Sequence, residues 1–194
     1  MEILNKSIHK KPERKIKIMQ FGEGNFLRAF VEWILQDLND KGAIEASVAV
    51  VQPMPFGRVK ELADQDGLYT LRLEGIDNGE NVRKSQIIDV IGDCINPFTE
   101  YEKYLKYGES EDLQVIISNT TEAGIAVDAS DTDFSKCPKS FPGKLLALLK
   151  RRYDRFKGDM NKGLAIIPCE LIDDNGDELY RCLTELAKIN KMDE

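Results

Sequence analysis

The sequence predicts an α/β protein: an open, mostly parallel sheet with helices on both faces and an inserted β-hairpin. Three observations carry this. Short apolar runs alternate with segments of helical spacing, the pattern of repeated strand and helix units. The first run, around Ile16, Ile18 and Phe21, breaks at Gly22-Glu23-Gly24 and passes straight into a helix-spaced segment. One region, residues 68–91, departs from the alternation and has strand periodicity on both sides of a turn sequence.

Taken in order, residues 1–14 form a polar tail expected to remain solvated, and the folded domain runs from 15 to 194. After the first strand, Phe26, Phe30, Trp33, Ile34 and Leu38 recur every three or four residues and define the apolar face of a helix. Asn39-Asp40-Lys41-Gly42 closes that helix with a glycine stop. Ser47 to Val51 (SVAVV) is a β-branched strand ended by Gln52-Pro53, because proline donates no ladder hydrogen bond and restricts the residue before it. A short helix from about Gly57 to Ala63 follows. Leu68 to Leu73 alternates, Ile76-Asp77-Asn78-Gly79-Glu80 supplies turn chemistry, and Val82 to Ile91 reads as the returning strand.

A helix from roughly Phe98 to Tyr107 comes next, with Tyr101, Tyr104 and Leu105 inward. Leu113 to Ile117 is a strong strand that ends in Ser118-Asn119-Thr120-Thr121-Glu122. Residues 126–140 are acidic and irregular. Phe141-Pro142 opens an amphipathic helix to Phe156, with Leu145, Leu148, Leu149, Tyr153 and Phe156 as its expected buried face. Gly163 to Ile167 is the last strand, ending in Pro168-Cys169-Glu170-Leu171, and the final helix starts near Asn175.

Composition excludes several classes. A net charge of −7 with no basic patch speaks against nucleic acid as a partner. No apolar run approaches the roughly 20 residues that span a bilayer, and the N-terminus does not read as a signal sequence, so no membrane association is expected. Cys94, Cys137, Cys169 and Cys182 form no C-x-x-C pair, so neither a metal site nor a disulfide framework is expected, and a reducing cytoplasm is the simplest location. The single histidine, His9, lies in the tail, which leaves no credible histidine general base and no assigned catalytic residue in these 194 residues.

The glycine turn is the strongest functional signal. A strand ending in glycines brings backbone close to an anion, and the next helix offers unpaired N–H groups and a partial positive charge. The dinucleotide fingerprint G-x-G-x-x-G has its third position filled by Leu27 here, so the spacing alone leaves an ordinary strand-to-helix turn open. Arg28 suits a phosphate or carboxylate, and equally a surface ion pair. Gln52 occupies the end of the second strand, where NAD-binding folds usually carry an acid for the adenosine ribose. An amide there leaves NAD against NADP open. Asn119 and Thr120 end a strand where open sheets bind ligands, although Asx and Ser/Thr turns also occur there for local reasons. Glu122 reads as a ligand contact or as a carboxylate at a helix start, and Cys169 as a small packed residue. A nucleotide-sensing module without chemistry and an S-adenosylmethionine methyltransferase are the competing classes. Gln52 in place of an acid counts against the latter.

FGEGNFLRAF (Phe21 to Phe30), SVAVVQP, SNTTEAGI (Ser118 to Ile125) and PCELIDDNG (Pro168 to Gly176) together resemble the polyol-specific long-chain dehydrogenases typified by mannitol dehydrogenase. The likeness extends over nearly the whole chain after the tail. It implies a Rossmann-like cofactor domain, NAD as cofactor with NADP open, and hydride transfer between nicotinamide and the carbonyl of a small sugar acid or polyol. It implies that Gly22, Gly24, Asn25, Phe26 and Arg28 line the pyrophosphate turn and that Asn119 and Thr120 lie near the nicotinamide half. Family members often show Cys-Asp-Asn where this chain has Cys169-Glu170-Leu171. Such enzymes carry a mostly helical C-terminal domain with a catalytic lysine and its asparagine and histidine partners. None of that motif occurs in these residues, so the chain is expected to be an N-terminal domain without its proton-transfer machinery.

Overall fold

The computed structural model describes residues 3–121 and 123–192. Five parallel strands build the main sheet: β1 (Ile16–Phe21), β2 (Ser47–Val51), β5 (Ile91–Ile95), β6 (Val115–Ser118) and β7 (Ala165–Pro168). Their spatial order is β5-β2-β1-β6-β7, so the chain winds outward from β1 in one direction and then restarts on β1's other side. A two-stranded antiparallel hairpin, β3 (Tyr69–Asp77) and β4 (Glu80–Ile88), is inserted between β2 and β5. The predicted α/β class with an inserted hairpin is what the structure shows.

Among the described residues six α-helices complete the fold: α1 (Asn25–Ala29), α2 (Val31–Asp40), α3 (Val59–Asp64), α4 (Tyr101–Lys106), α5 (Phe141–Phe156) and α6 (Asn175–Ile189). The sheet separates two apolar cores, as burial on both faces of a parallel sheet requires. Ile18, Val48, Val50 and Ile117 pack with Leu27, Val31, Val59, Leu62 and the hairpin's Leu71. Met19, Phe21, Ala49, Val51 and Ile116 pack with Tyr104, Leu105, Leu145, Leu148, Leu179 and Cys182.

Several expectations are corrected. The helix after the glycine turn divides at Phe30, where φ −115° and ψ −69° separate α1 from α2. Its buried residues are Leu27, Val31, Glu32 and Gln36, while Phe26, Phe30 and Ile34 are exposed and the Phe26 and Phe30 rings lie 5.4 Å apart, tilted by 36°. The polar side chains are tolerated inside because each is hydrogen-bonded. Gln36 Oε1, for example, accepts from the Asp89 N–H at 2.8 Å.

The returning hairpin strand ends at Ile88, and residues 91–95 form a separate parallel strand that sequence reading merged into the hairpin. The continuous apolar run Ile87 to Ile91, broken only by Asp89, hides that boundary. On α5, Tyr153 is exposed, whereas Lys144 and Arg152 are buried. Arg152 reaches the carbonyls of Ser110, Leu113 and Lys162, and Lys144 Nζ donates to the Lys139 carbonyl at 2.7 Å. The N-terminal tail, expected to be solvated throughout, is anchored on the domain at several side chains, although many of residues 3–14 stay exposed. Arg14 pairs with Asp89 at 2.6 Å in a half-buried setting, Lys6 pairs with Asp66 at 3.0 Å, and Lys11 Nζ donates to the carbonyls of Asp66 and Ile91.

Candidate functional site

The reversal of strand order between β1 and β6 creates a crevice at their carboxyl ends, the place where open α/β sheets bind ligands. Two segments meet there. Gly22 follows β1 with φ +115°, and its N–H donates to the Val51 carbonyl at 3.0 Å. Asn119 follows β6, and its N–H donates to the Phe21 carbonyl at 3.0 Å. A Cβ on Gly22 would stand 2.6 Å from the Asn119 carbonyl oxygen, so no other residue fits this crossing without shifting the backbone.

Gly24 differs. Its φ of −69° is ordinary for any residue, and the space a Cβ would occupy is open. It is the N-cap of α1 and no side chain caps the turn. The fold therefore does not demand glycine at this position, and a side chain there would project into open space.

Behind the turn lies a buried polar network. Gln20 is fully buried in β1, and its Nε2 donates to the Gly22 carbonyl and to Glu32 Oε1, both at 2.8 Å. Tyr69, from the hairpin, donates to the Arg28 carbonyl at 2.7 Å and to Glu32 Oε2 at 2.8 Å. Burial pushes the Glu32 carboxyl up to about 7, against the opposing pull of Tyr69, Gln20 and the nearby Arg28 cation. Burial also raises the Tyr69 phenol well above its ordinary value, with Glu32 adding to the effect, which keeps the hydroxyl a donor.

Arg28 lies over the Tyr69 ring at 5.6 Å and donates to Asn25 Oδ1 at 2.5 Å. It makes no ion pair with a carboxylate among the described residues, and its Nε is buried without a partner. Phe26 points its bulk outward, half exposed.

At the neighbouring strand end, Glu170 fastens β6 to β7. Its Oε2 accepts from Ser118 Oγ at 3.0 Å, and its Oε1 accepts from both the N–H and the hydroxyl of Thr120 at 3.0 Å. Asn119 Nδ2 donates to the Cys169 carbonyl at 2.6 Å. The side chains of Asn119 and Thr120 thus hold the strand ends together, and Thr120 is buried. Thr121 follows at φ +82°, a strained conformation for a β-branched residue at the edge of the crevice. Cys169 has its thiol raised by burial and by Glu170, which suits a packed residue. Glu122 lies outside the described residues.

Gln52 is only 3% exposed, and its amide is committed to its own loop: Nε2 donates to the Met54 carbonyl at 2.9 Å and Oε1 accepts from the Val59 N–H at 3.4 Å. A cleft of about 440 Å³ opens beside it between the ends of β2 and β5, lined by Phe56, Gly57, Asn96 and Thr99. A larger cleft, about 610 Å³, lies at the opposite, amino ends of β2 and β5, among the tail residues. It faces away from the strand-order reversal. No group of three or more His, Cys, Asp or Glu side chains suited to a metal occurs among the described residues.

The family model described as the mannitol dehydrogenase Rossmann domain matches residues 16–194. The chain belongs to the mannitol dehydrogenase family. Among relatives, this family member is 47% identical to an altronate oxidoreductase of Bacillus subtilis, with 100% of this chain and 41% of the relative covered. It is 48% identical to an altronate oxidoreductase of Bacteroides thetaiotaomicron, over 92% of this chain and 37% of the relative. The chain therefore spans about two fifths of the length of these relatives.

Two solved structures share the fold of this mannitol dehydrogenase family domain at 20% identity. A substrate-free D-sorbitol dehydrogenase superposes with a TM-score of 0.78, covering 97% of this chain and 43% of the other. A ternary complex of Pseudomonas fluorescens mannitol 2-dehydrogenase with NAD and D-mannitol superposes with a TM-score of 0.75, covering 92% and 38%. The Rossmann fold and the resemblance read from the sequence are both established by these matches.

Of the residues singled out in the sequence, Gly22, Gly24, Asn25, Phe26, Arg28, Asn119 and Thr120 come together around the crevice, and Gln52 lies beside it, turned inward. Sequence reading missed Gln20, Glu32 and Tyr69. One signal was present: Gln20 is a polar residue inside an apolar strand, and a buried amide must find partners.

Proposed function

We propose that the chain is the cofactor-binding domain of an NAD-dependent oxidoreductase that interconverts D-tagaturonate and D-altronate, acting in the cytoplasm on a small sugar acid. The observation that carries the dinucleotide reading is the contrast between the two glycines of the turn. Gly22 is demanded by the backbone crossing, whereas Gly24 answers no such demand and borders open space at an uncapped helix start, where a bare backbone permits close approach of a ligand. Arg28, one turn further along α1, makes no ion pair among the described residues and has its Nε buried without a partner, which leaves its guanidinium with donor capacity suited to an anion. The sugar-acid assignment is supported by the names of relatives that are 47% and 48% identical.

When bound, NAD supplies a nicotinamide that accepts or delivers hydride. Gly22, Gly24, Asn25, Phe26 and Arg28 would hold its pyrophosphate, and Asn119 and Thr120 its nicotinamide side. Gln52 serves by shaping the loop at residues 53–58. The catalytic lysine, asparagine and histidine of this reading belong to a mostly helical domain outside these residues, on which the sugar acid would bind. An exposed apolar rim, including Phe26, Met54, Phe56 and Leu171, surrounds the strand ends and is the kind of surface another domain covers.

The test has two parts. Fluorescence titration of the chain with NADH is expected to show saturable binding, and the protein expressed from its whole natural reading frame is expected to oxidise NADH in the presence of D-tagaturonate. Absence of dinucleotide binding would overturn the cofactor reading. Turnover of mannitol or sorbitol without tagaturonate or altronate would overturn the substrate assignment alone.

A further inference from the structure

The glycine turn carries one charged side chain, Glu23. It is half-buried between Gly22 and Gly24, and its Oε1 accepts a hydrogen bond at 3.1 Å from the backbone N–H of Arg58, 35 residues away in sequence. A Cβ on Gly57 would collide with that same oxygen and would lie 2.7 Å from the Gln52 amide carbon. The Glu23 carboxylate, the Gln52 amide and the Gly57 backbone thus meet just beyond the carboxyl end of β2, beside the cleft lined by Phe56, Asn96 and Thr99. Glu23 forms no ion pair among the described residues, and Oε2 has no hydrogen-bond partner there.

In dinucleotide-binding folds this is the position at which an acidic side chain, delivered by the second strand, accepts the hydroxyls of the adenosine ribose. Here the second strand delivers Gln52, whose amide is committed elsewhere. We propose that Glu23, reaching across from the glycine turn, takes over this position: its carboxylate accepts from the adenosine ribose hydroxyls, disfavours a 2′-phosphate, and makes the chain selective for NAD(H) over NADP(H).

The chemistry fits. An ionised carboxylate is an acceptor only and matches vicinal hydroxyl donors, while a 2′-phosphate brings like charge against it. Arg58 is the counterweight. It is exposed and its side chain makes no ion pair among the described residues, so a phosphate is a suitable partner for it once the neighbouring carboxylate is neutralised. The inference rests on the dinucleotide reading given under Proposed function.

Binding of NADH and NADPH to the chain, to Glu23→Gln and to Glu23→Gln/Arg58→Ala tests it, with thermal unfolding run on each to establish that it folds. The wild-type chain is expected to prefer NADH. Glu23→Gln is expected to weaken NADH, tighten NADPH, and lower the preference by about tenfold or more. Adding Arg58→Ala is expected to remove the gain in NADPH affinity. Competition by 5′-AMP and by 2′,5′-ADP is expected to show the same change of preference, which locates it on the adenosine side. If Glu23→Gln weakens both dinucleotides equally, or leaves their ratio unchanged, Glu23 only pins the loop at Arg58 and the proposal falls while NADH binding stands. A wild-type chain that binds neither dinucleotide overturns the cofactor reading and this proposal with it.

Discussion

Tyr69 Oη lies 2.8 Å from Glu32 Oε2, and this hydrogen bond joins the inserted hairpin to the helix that follows the glycine turn. The same hydroxyl donates to the Arg28 carbonyl at 2.7 Å, so a side chain 37 residues downstream of Glu32 stands behind the segment proposed to hold a pyrophosphate. Tyr69→Phe leaves the ring in place but removes the donor from a buried carboxylate and a backbone carbonyl. A stability loss of about 1–3 kcal/mol is expected. Denaturant unfolding measures that loss, and NADH titration under native conditions is expected to show a weaker complex.

Glu32 makes stability depend on pH in a direction opposite to that of most carboxylates. Its folded value of about 7 lies above the unfolded 4.5, so between these values the folded chain binds the extra proton. Stability from this group is greatest below about pH 4.5, falls as pH rises to about 7 and then levels off, with a full span of about 3 kcal/mol. Glu32→Gln retains one acceptor and removes the titration. The difference in unfolding free energy between wild type and variant is expected to move toward the variant as pH rises from 5 to 8, as read by denaturant melts across that range. A difference independent of pH would contradict the assignment.

The two glycines of the turn separate folding from binding. Gly22→Ala places a methyl 2.6 Å from the Asn119 carbonyl at a φ of +115°, and a loss of about 2–4 kcal/mol is expected. Gly24→Ala meets open space at φ −69°, and a melting temperature within about 2 °C of wild type is expected, with NADH affinity reduced. Equal effects of the two substitutions on unfolding would argue against this division.

Glu170 accepts three hydrogen bonds from Ser118 and Thr120 in a site that is 3% exposed. Glu170→Ala strands a buried backbone N–H and two hydroxyls, and about 2–4 kcal/mol of destabilisation is expected. Amide exchange at Thr120 and Asn119 is the specific readout: faster exchange there than elsewhere in the sheet is expected, since the clamp between β6 and β7 is what the substitution removes.

The sequence was most informative where structure depends on neighbours in the chain. Strands β1, β2, β6 and β7, the glycine turn, the hairpin and the helices α5 and α6 were all visible, because apolar periodicity, proline and glycine act locally. The turn residues at the ends of β1 and β6, from which the cofactor reading is proposed, were visible for the same reason: a strand that ends in a tight turn has its own turn chemistry. Periodicity also found the stripe of Phe26, Phe30 and Ile34, but it has no sign. A stripe facing the sheet and a stripe facing outward read alike until the rest of the chain is in place.

The tertiary structure decided that sign, and with it the burial of Glu32 and Gln36. It separated β5 from the hairpin at Asp89-Val90 and turned Gln52 into its own loop. It also brought Glu23 to Arg58, Tyr69 to Glu32, and Glu170 to Ser118 and Thr120 across 35, 37, 52 and 50 residues. The physical reason is common to all of these. A buried polar group must be hydrogen-bonded, but nothing in the local sequence states which distant group satisfies it. The alternation of strand and helix segments and the glycine turn therefore belong to the sequence alone, whereas the strand order and the polar contacts behind the turn exist only once the sheet has assembled.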